Sequence, residues 1–417
     1  MRIAVIHNLN PGGALRALVE TTRRLSQRHS ITIFQPRDSI HKAMLPDDFN
    51  LETMEFLSPM GPSPGTPLWQ RPYLDMRFHK DLEGMYRAMA QTIHRRGYDV
   101  AYVHHCRYTQ SPSILRYLKI PTVYFCQDPP RGLYEPLIPR PYLEKAFQSK
   151  TRNTIRWVRN LLFRRTDRLN AQSATVLLAN SYYSSEVLYR IYGKLPSVVY
   201  LGVDGTVFRP LDGTEKAPWV LSVGNLAPTK GHDLAIKSLS LIPPSRRPKL
   251  VIVTPLISDQ GSPEENYLRQ LAASQGVTLD IRYSTRNIEL VRLYNEAALT
   301  LYTPRLEPFG FVPLESSACG TPVIGVREAG VRETILHQQT GLLVERDPHS
   351  MSQAIDGLLQ DPDLARRMGQ KGTEWVRSQW TWERTCAAVE KAFRKALGLS
   401  DTNSQHVVGT AYAATRN

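Results

Sequence analysis

Glu307-Pro-Phe-Gly-Phe-Val-Pro-Leu-Glu315 places two carboxylates on either side of a Pro-Phe-Gly turn, with seven residues between them. An apolar run, Leu299-Thr-Leu-Tyr302, leads into the turn, and the pattern beyond it predicts a helix starting near Phe311. Backbone amides at a helix start attract anions, so the start of this helix is an anion site. Flanking carboxylates can grip sugar hydroxyls. The plainer alternative is an ordinary turn with two unrelated acids. The length of the pattern, which continues through Ser316-Ser-Ala-Cys-Gly-Thr-Pro-Val323, argues against it.

A second candidate is Gly224-Asn-Leu-Ala-Pro-Thr-Lys-Gly231, again a turn after an apolar run. A lysine there can neutralise a diphosphate as it leaves, although a lone loop lysine is more often simply solvated. Asn10-Pro-Gly-Gly13 is the third: Gly12 and Gly13 let backbone approach a phosphate or sugar closely before the next helix begins. Pro121-Thr-Val-Tyr-Phe-Cys-Gln-Asp-Pro-Pro-Arg131 is the fourth, a strand ending in a polar turn that carries Gln127 and Asp128. Asp128 reads equally well as a turn aspartate. His104-His105 closes the preceding strand, where a histidine pair is more often core or rim than catalytic.

The elements that would hold these groups repeat. Ile3-Ala-Val-Ile6, the Gly-Gly turn and a helix over 14–28 striped by Leu15, Leu18, Val19, Thr22 and Leu25 precede the strand Ile31-Thr-Ile-Phe34. Trp219-Val-Leu-Ser-Val223, the lysine turn and a helix with Leu234, Ile236 and Leu239 precede Leu250-Val-Ile-Val253. Alternation of this kind predicts parallel sheets with right-handed crossovers, binding ligands outside the carboxyl ends of their strands. The expected division is 1–204, then 205–382, a helix over 383–397 that packs back on the first domain, and a disordered tail over 398–417. A Pro/Gly-rich stretch, Ser58–Pro72, is expected to be a mobile loop or acceptor-side flap.

These motifs together resemble glycosyltransferase family four, whose signature is the glutamate pair with seven residues between. The likeness covers nearly the whole chain, including Ala179-Asn-Ser181 and Val199-Tyr-Leu-Gly-Val-Asp204, read as architectural. It implies an α/β GT-B fold, two Rossmann-like domains facing across a cleft. It further implies retaining transfer of a hexose-type sugar from a nucleoside-diphosphate sugar (UDP- or GDP-linked) to a hydroxyl acceptor. That acceptor would be a glycan, a lipid-linked sugar or a small molecule, as in cell-surface glycan, lipopolysaccharide or glycolipid synthesis. The resemblance assigns Glu307 to the donor sugar, Glu315 to the nucleotide ribose, Lys230 to the diphosphate and the amides of Phe309, Gly310 and Phe311 to sugar hydroxyls or phosphate; it puts Gln127 close to the transferred sugar, with Asp128 the nearest carboxylate.

Two departures stand out. Asn225 sits where the family usually has an arginine, so one diphosphate cation is missing, and Arg131, Arg305, Arg327 and Arg332 are the candidate replacements. Gln127 stands where many relatives have histidine. Glutamine can hydrogen-bond a hydroxyl but cannot act as a base. Front-face attack needs little from a side-chain base. The family has no metal-binding D-x-D, so no metal or other cofactor is expected. Asp361-Pro-Asp363 has that spacing but falls at a predicted helix start, where it reads as capping chemistry. The rival readings are a GT-B sugar phosphorylase or epimerase, and a non-catalytic nucleotide- or polyanion-binding protein.

Charge adds a further expectation. The chain carries a net +14, of which residues 1–205 hold +12. Within 140–168 the net is +7, and Ile155, Val158, Leu161 and Leu162 recur at helical spacing beside Trp157 and Phe163. With Arg152, Arg156, Arg159, Arg164 and Arg165 around them, this is the form of an amphipathic helix on anionic lipid, or of a solvated helix packed on its own domain. No nucleic-acid module is recognised. No apolar run approaches the ~18 residues of a membrane span, no leader is read at the start, and four scattered cysteines fit a reducing compartment. The expected location is cytoplasmic, peripheral on the inner face of the membrane.

Overall fold

The computed structural model describes residues 1–39, 51–59, 61, 66–67, 70–128, 131–135, 138–143, 150–255, 259–283 and 287–399. The first sheet is built from β1 (Arg2–Asn8), β2 (Ser30–Pro36), β3 (Glu52–Phe56), β4 (Val100–Cys106), β5 (Thr122–Phe125), β6 (Val176–Ala179) and β7 (Ser197–Val198). Its strand order is β3-β2-β1-β4-β5-β6-β7, with every pairing parallel. Parallel strands covered on both faces need apolar residues on both, which is why β1 is buried from Ile3 to Asn8 without alternation.

One face is covered by α1 (Gly13–Leu25), whose five predicted stripe residues are all buried. The other carries α2 (Arg71–Arg96), which packs Leu82, Met85, Tyr86, Met89 and Ile93 into a second core layer. Among the described residues this domain has three further α-helices, α3 (Arg131–Tyr134), α4 (Lys150–Gln172) and α5 (Tyr182–Tyr192). Ser181 caps α5 by accepting from the Ser184 amide at 2.9 Å.

The second sheet contains β8 (Ala217–Val223), β9 (Lys249–Thr254), β10 (Leu279–Tyr283), β11 (Ala297–Tyr302), β12 (Val323–Val326) and β13 (Gly341–Val344). They run parallel in the order β10-β9-β8-β11-β12-β13. The helices α6 (His232–Ser240), α7 (Pro263–Ser274), α8 (Asn287–Glu296), α9 (Phe311–Ala318), α10 (Val331–Thr334), α11 (Pro348–Gln360) and α12 (Pro362–Gln379) cover it. In both sheets the chain reverses its winding beside the first strand, between β1 and β4 and between β8 and β11. Crevices at such switch points are where these folds take ligands.

The last helix among the described residues, α13 (Trp382–Ala396), crosses back to the first domain. Cys386, Val389 and Phe393 are buried there, Phe393 edge-on to Tyr102 of β4 with ring centroids 5.4 Å apart. Arg24 reaches Glu383 at 3.2 Å and His29 reaches Glu390 at 2.8 Å. Where the two crossings touch, a Cβ on Gly202 would lie 2.4 Å from the Trp382 nitrogen, so only glycine fits.

Asp361 accepts from the Leu364 amide at 2.8 Å and caps α12, which accounts for its D-x-D spacing. The 400–417 tail and seven of the fifteen residues of the expected Ser58–Pro72 loop lie outside the described residues, and the loop's last two, Arg71 and Pro72, begin α2. Among the described residues no helix is long and apolar enough to cross a membrane.

Candidate functional site

The turn after β8 ends in a single 3₁₀ turn, Pro228–Lys230, and Gly231 follows at φ +65°. A side chain on Gly231 would strike the Thr303 carbonyl, so glycine lets the turn lie directly on the end of β11. Thr303 Oγ1 donates to the Lys230 carbonyl at 3.0 Å, while Arg346 donates to the Thr303 and Pro304 carbonyls. The Lys230 stem lies over Gly224, and its Nζ donates to Glu307 Oε2 at 2.8 Å. Two of the predicted groups, 77 positions apart, therefore form one ion pair. Asn225 sits in the same turn with a buried Oδ1 that has no protein partner among the described residues, and its carbonyl accepts from His232 Nε2.

Glu307 leads into the sharp turn to α9. Gly310, at φ +99°, brings the backbone against the Tyr302 ring, which a Cβ would approach to 3.1 Å. The Pro308 carbonyl accepts from the hydroxyls of Ser181 and Ser184 at 2.5 and 3.3 Å, tying the turn to α5 of the first domain. Phe309 is buried against Phe311 and Trp380. Phe311 faces the Gly-Gly turn, with its ring carbons 3.1 Å from where a Gly13 Cβ would sit. Gly12, the N-cap of α1, has φ +149° and no side chain to satisfy the free amides that follow.

Glu315 is almost wholly buried, and both of its oxygens are taken. Tyr294 donates to Oε2 at 2.9 Å, and Arg16 of α1 forms an ion pair with Oε1 across the cleft. The Arg16 guanidinium lies 4.3 Å from the Phe311 ring centroid. Neither Arg16 nor Tyr294 was among the sequence candidates. One signal for Arg16 was legible: a cation in the second turn of a helix opposes the dipole unless something anionic lies close by.

Asp128 opens onto the same cleft. Its carboxyl is reached by water yet walled in by protein, and this desolvation, reinforced by the charge of Glu307, pushes it up to about 7 against the pull of Arg131 and Lys230. Gln127 points inward instead. Its Nε2 lies 3.3 Å from His104 Nδ1 and 3.4 Å from the Ala14 carbonyl, and its own carbonyl accepts from Asn180 at 2.6 Å. It braces the end of β5 against the start of α1. His104 is fully buried and held neutral by that burial, and burial also pushes His105 down to about 4.

Of the four arginines considered as replacements at Asn225, Arg131 lies within electrostatic reach of both Asp128 and Glu307. Its charge acts on Asp128, and its guanidinium donates to the Arg305 carbonyl at 2.5 Å and to Glu135 at 2.8 Å. Arg327 pairs with Glu345, and Arg332 donates to the Ala329 carbonyl.

A further contact between the domains, with no counterpart in the sequence reading, centres on Arg140. Arg140 is buried among Glu264, Asp233 and the Pro228 carbonyl, with Tyr267 below it. It pins the 138–143 segment to the back of the lysine turn.

On α4, Trp157 is 62% exposed, and Leu161, Leu162 and Arg165 are exposed as well. Arg164 is engaged with its own domain, its Nε donating to the Leu133 carbonyl at 2.7 Å and its guanidinium lying over Tyr134. Phe163 packs beside His79. The side chains of Arg152, Arg156 and Arg159 lie outside the described residues.

Two doubly wound parallel sheets, facing across a cleft that gathers a lysine, two glutamates and glycine turns, define the GT-B class. A model of Glycosyltransferase Family 4 matches residues 11–206, and one of Glycosyl transferases group 1 matches residues 206–375. The chain is 30% identical over 298 residues to the GDP-mannose-dependent alpha-(1-6)-phosphatidylinositol monomannoside mannosyltransferase of Mycobacterium tuberculosis, covering 66% of this chain and 76% of that protein. It belongs to glycosyltransferase family 4.

A D-inositol 3-phosphate glycosyltransferase of Acidothermus cellulolyticus is 32% identical over 244 residues, and the match covers 54% of each chain. The chain thus spans about half the length of the inositol-phosphate relatives it matches. Among solved structures, sucrose-phosphate synthase from Thermosynechococcus elongatus superimposes with a TM-score of 0.71 at 19% identity, over 95% of this chain and 99% of that one. An Anabaena HepE complex with UDP and glucose gives 0.65 at 19%, over 94% and 99%.

Proposed function

We propose that this chain transfers a hexosyl group from a nucleoside-diphosphate sugar to a hydroxyl of an acceptor, with retention of anomeric configuration. The observation that carries this reading is the Lys230–Glu307 pair, 2.8 Å apart, on the cleft wall that Asp128 faces. The bond from the sugar's anomeric carbon to the β-phosphate oxygen breaks, and the bond to the acceptor oxygen forms on the same face. The acceptor proton passes to the departing phosphate oxygen or to Asp128. Negative charge grows on the diphosphate, where Lys230 and the amides at the starts of α1 and α9 meet it. Arg131 adds the second cation. This charge balance needs no metal or other cofactor.

The second domain takes the donor and the first presents the acceptor. A GDP-mannose-dependent relative and a UDP-bound neighbour support a guanosine or uridine donor. The phosphatidylinositol mannoside acceptor in the relative's name supports a glycolipid product. The exposed Trp157, Leu161 and Leu162 beside Arg165 suit a peripheral position on the cytoplasmic face of an acidic membrane.

A thermal-shift screen across UDP-, GDP- and ADP-sugars tests the reading, followed by NMR of the product's anomeric linkage. If no nucleotide sugar raises the melting temperature, the transferase reading fails. An inverted linkage would remove retention.

A further inference from the structure

We propose that a pocket beside the catalytic turn holds the apolar chain of an anionic acceptor, a hydroxyl-bearing molecule linked through phosphate to an alkyl or prenyl tail. The proposal rests on the transferase reading and names the acceptor class for it. The pocket encloses about 190 Å³ between α3, α5 and Leu306. On α5, Tyr183, Val187 and Ile191 lie one turn apart along a single face, with Arg190 at the rim. Tyr134 of α3 forms the opposite wall. Its lining is mostly aliphatic and aromatic, which suits a chain better than a sugar.

Leu306 closes the pocket from the other domain, and three observations tie it to function. It adopts φ +47°, a conformation disfavoured for a bulky side chain, yet remains 38% exposed. Its neighbours hold it there. The Arg305 amide donates to the Thr229 carbonyl at 2.8 Å, the Arg305 carbonyl accepts from Arg131, and the Glu307 carbonyl accepts from the Gly330 amide at 2.9 Å. It also directly precedes Glu307, so a chain lying against Leu306 places the attached head beside the donor sugar.

Charge and continuity select the occupant. Arg131 and Arg190 at the rim are balanced by Glu135 and Glu186, leaving Arg164 in excess against Tyr134. A phosphate is therefore favoured at the mouth. From Tyr134 the surface continues through Arg164 onto α4, where Leu161 and Leu162 are exposed. A tail drawn from a bilayer under α4 passes the Arg164 guanidinium, where its phosphate would rest, and then the Tyr134 ring.

The test is calorimetric titration of the full chain with a series from butyl to decyl phosphate, with and without UDP or GDP. Affinity is expected to rise about fourfold per methylene, equivalent to about 0.8 kcal/mol each, and then level off as the pocket fills. Val187→Glu places a charge on the wall. Leu306→Asn removes the apolar cover with a residue that tolerates the left-handed conformation. Both variants should flatten the series and leave the thermal shift given by nucleotide sugars unchanged. A flat series in the parent chain, or an unchanged slope in both variants, overturns the pocket. Failure to bind any nucleotide sugar would instead overturn the transferase reading, because the chain-length slope is read without a donor.

Discussion

Arg16 and Glu315, 299 positions apart, meet across the cleft as an ion pair that occupies one oxygen of the carboxylate expected to hold the donor ribose. Tyr294 occupies the other. A ribose hydroxyl must therefore compete with the first domain's own cation. Removing the carboxylate and removing its competitor should have opposite signs. Glu315→Ala should weaken nucleotide-sugar binding by about 1.5–3 kcal/mol, the value of a hydrogen bond to a charged group. Arg16→Gln should tighten it several-fold while lowering the melting temperature, since a largely buried carboxylate loses its partner. Calorimetry on both variants decides. If Arg16→Gln weakens binding as much as Glu315→Ala does, Arg16 is itself a donor ligand.

Lys230 should matter more to turnover than to ground-state binding, because the charge it faces grows as the diphosphate departs. Lys230→Ala is expected to lower kcat by roughly two to three orders of magnitude with a smaller change in donor KM. Glu307→Ala should likewise act chiefly on kcat. Initial rates across donor concentrations separate the two effects, and the parent's rate should survive EDTA.

Asp128 supplies the pH dependence. With its carboxyl pushed up to about 7, the base form becomes dominant only above that value, so kcat/KM should climb through a limb near pH 7. Asp128→Asn should remove that limb. Stability runs the other way. Folding favours the protonated acid, so the contribution is complete below the usual aspartate range and is lost as pH rises through about 7. Above pH 7.5 the Asn variant should melt at the higher temperature, and melting curves at pH 5 and pH 8 check the sign.

The exposed face of α4 should bind acidic vesicles and ignore neutral ones. Each basic side chain near such a surface contributes about 1 kcal/mol. Salt should release the protein, as the attraction fades over ~8–10 Å at physiological strength. Changing Arg152, Arg156, Arg159 and Arg165 to Gln should abolish co-sedimentation, whereas Arg164→Gln alone should destabilise the fold through its lost contacts with Leu133 and Tyr134. Blue-shifted Trp157 fluorescence on acidic vesicles is the direct readout. Equal binding to both vesicle types would leave α4 as a solvated helix.

Much of the architecture was legible because it is written in local periods. The stripe of α1 repeats every three or four residues, and each of its five members is buried. The glycine turns carry their own punctuation, and the Lys230–Glu307 pairing follows from two such turns ending adjacent strands. Contacts between the domains have no such period. Arg16 reached Glu315, and Arg140 reached Glu264 and Asp233, through tertiary placement that no window of sequence encodes. The inward turn of Gln127 is hidden from the sequence for a related reason. Strand ends show where a side chain sits along the sheet but not whether it turns toward solvent or back onto the next helix.

The return of α13 has a consequence for synthesis. Phe393 and Val389 fill the first domain's core beside Tyr102, yet they emerge from the ribosome almost two hundred residues after β7. The first domain to be made is thus the last to be finished, and the second domain, enclosed between the two crossings, can fold while its neighbour still waits with an open seam. A ribosome stalled near residue 380 would hold a complete second sheet and an incomplete first one. Chain termination a few turns early therefore damages the beginning of the protein rather than its end.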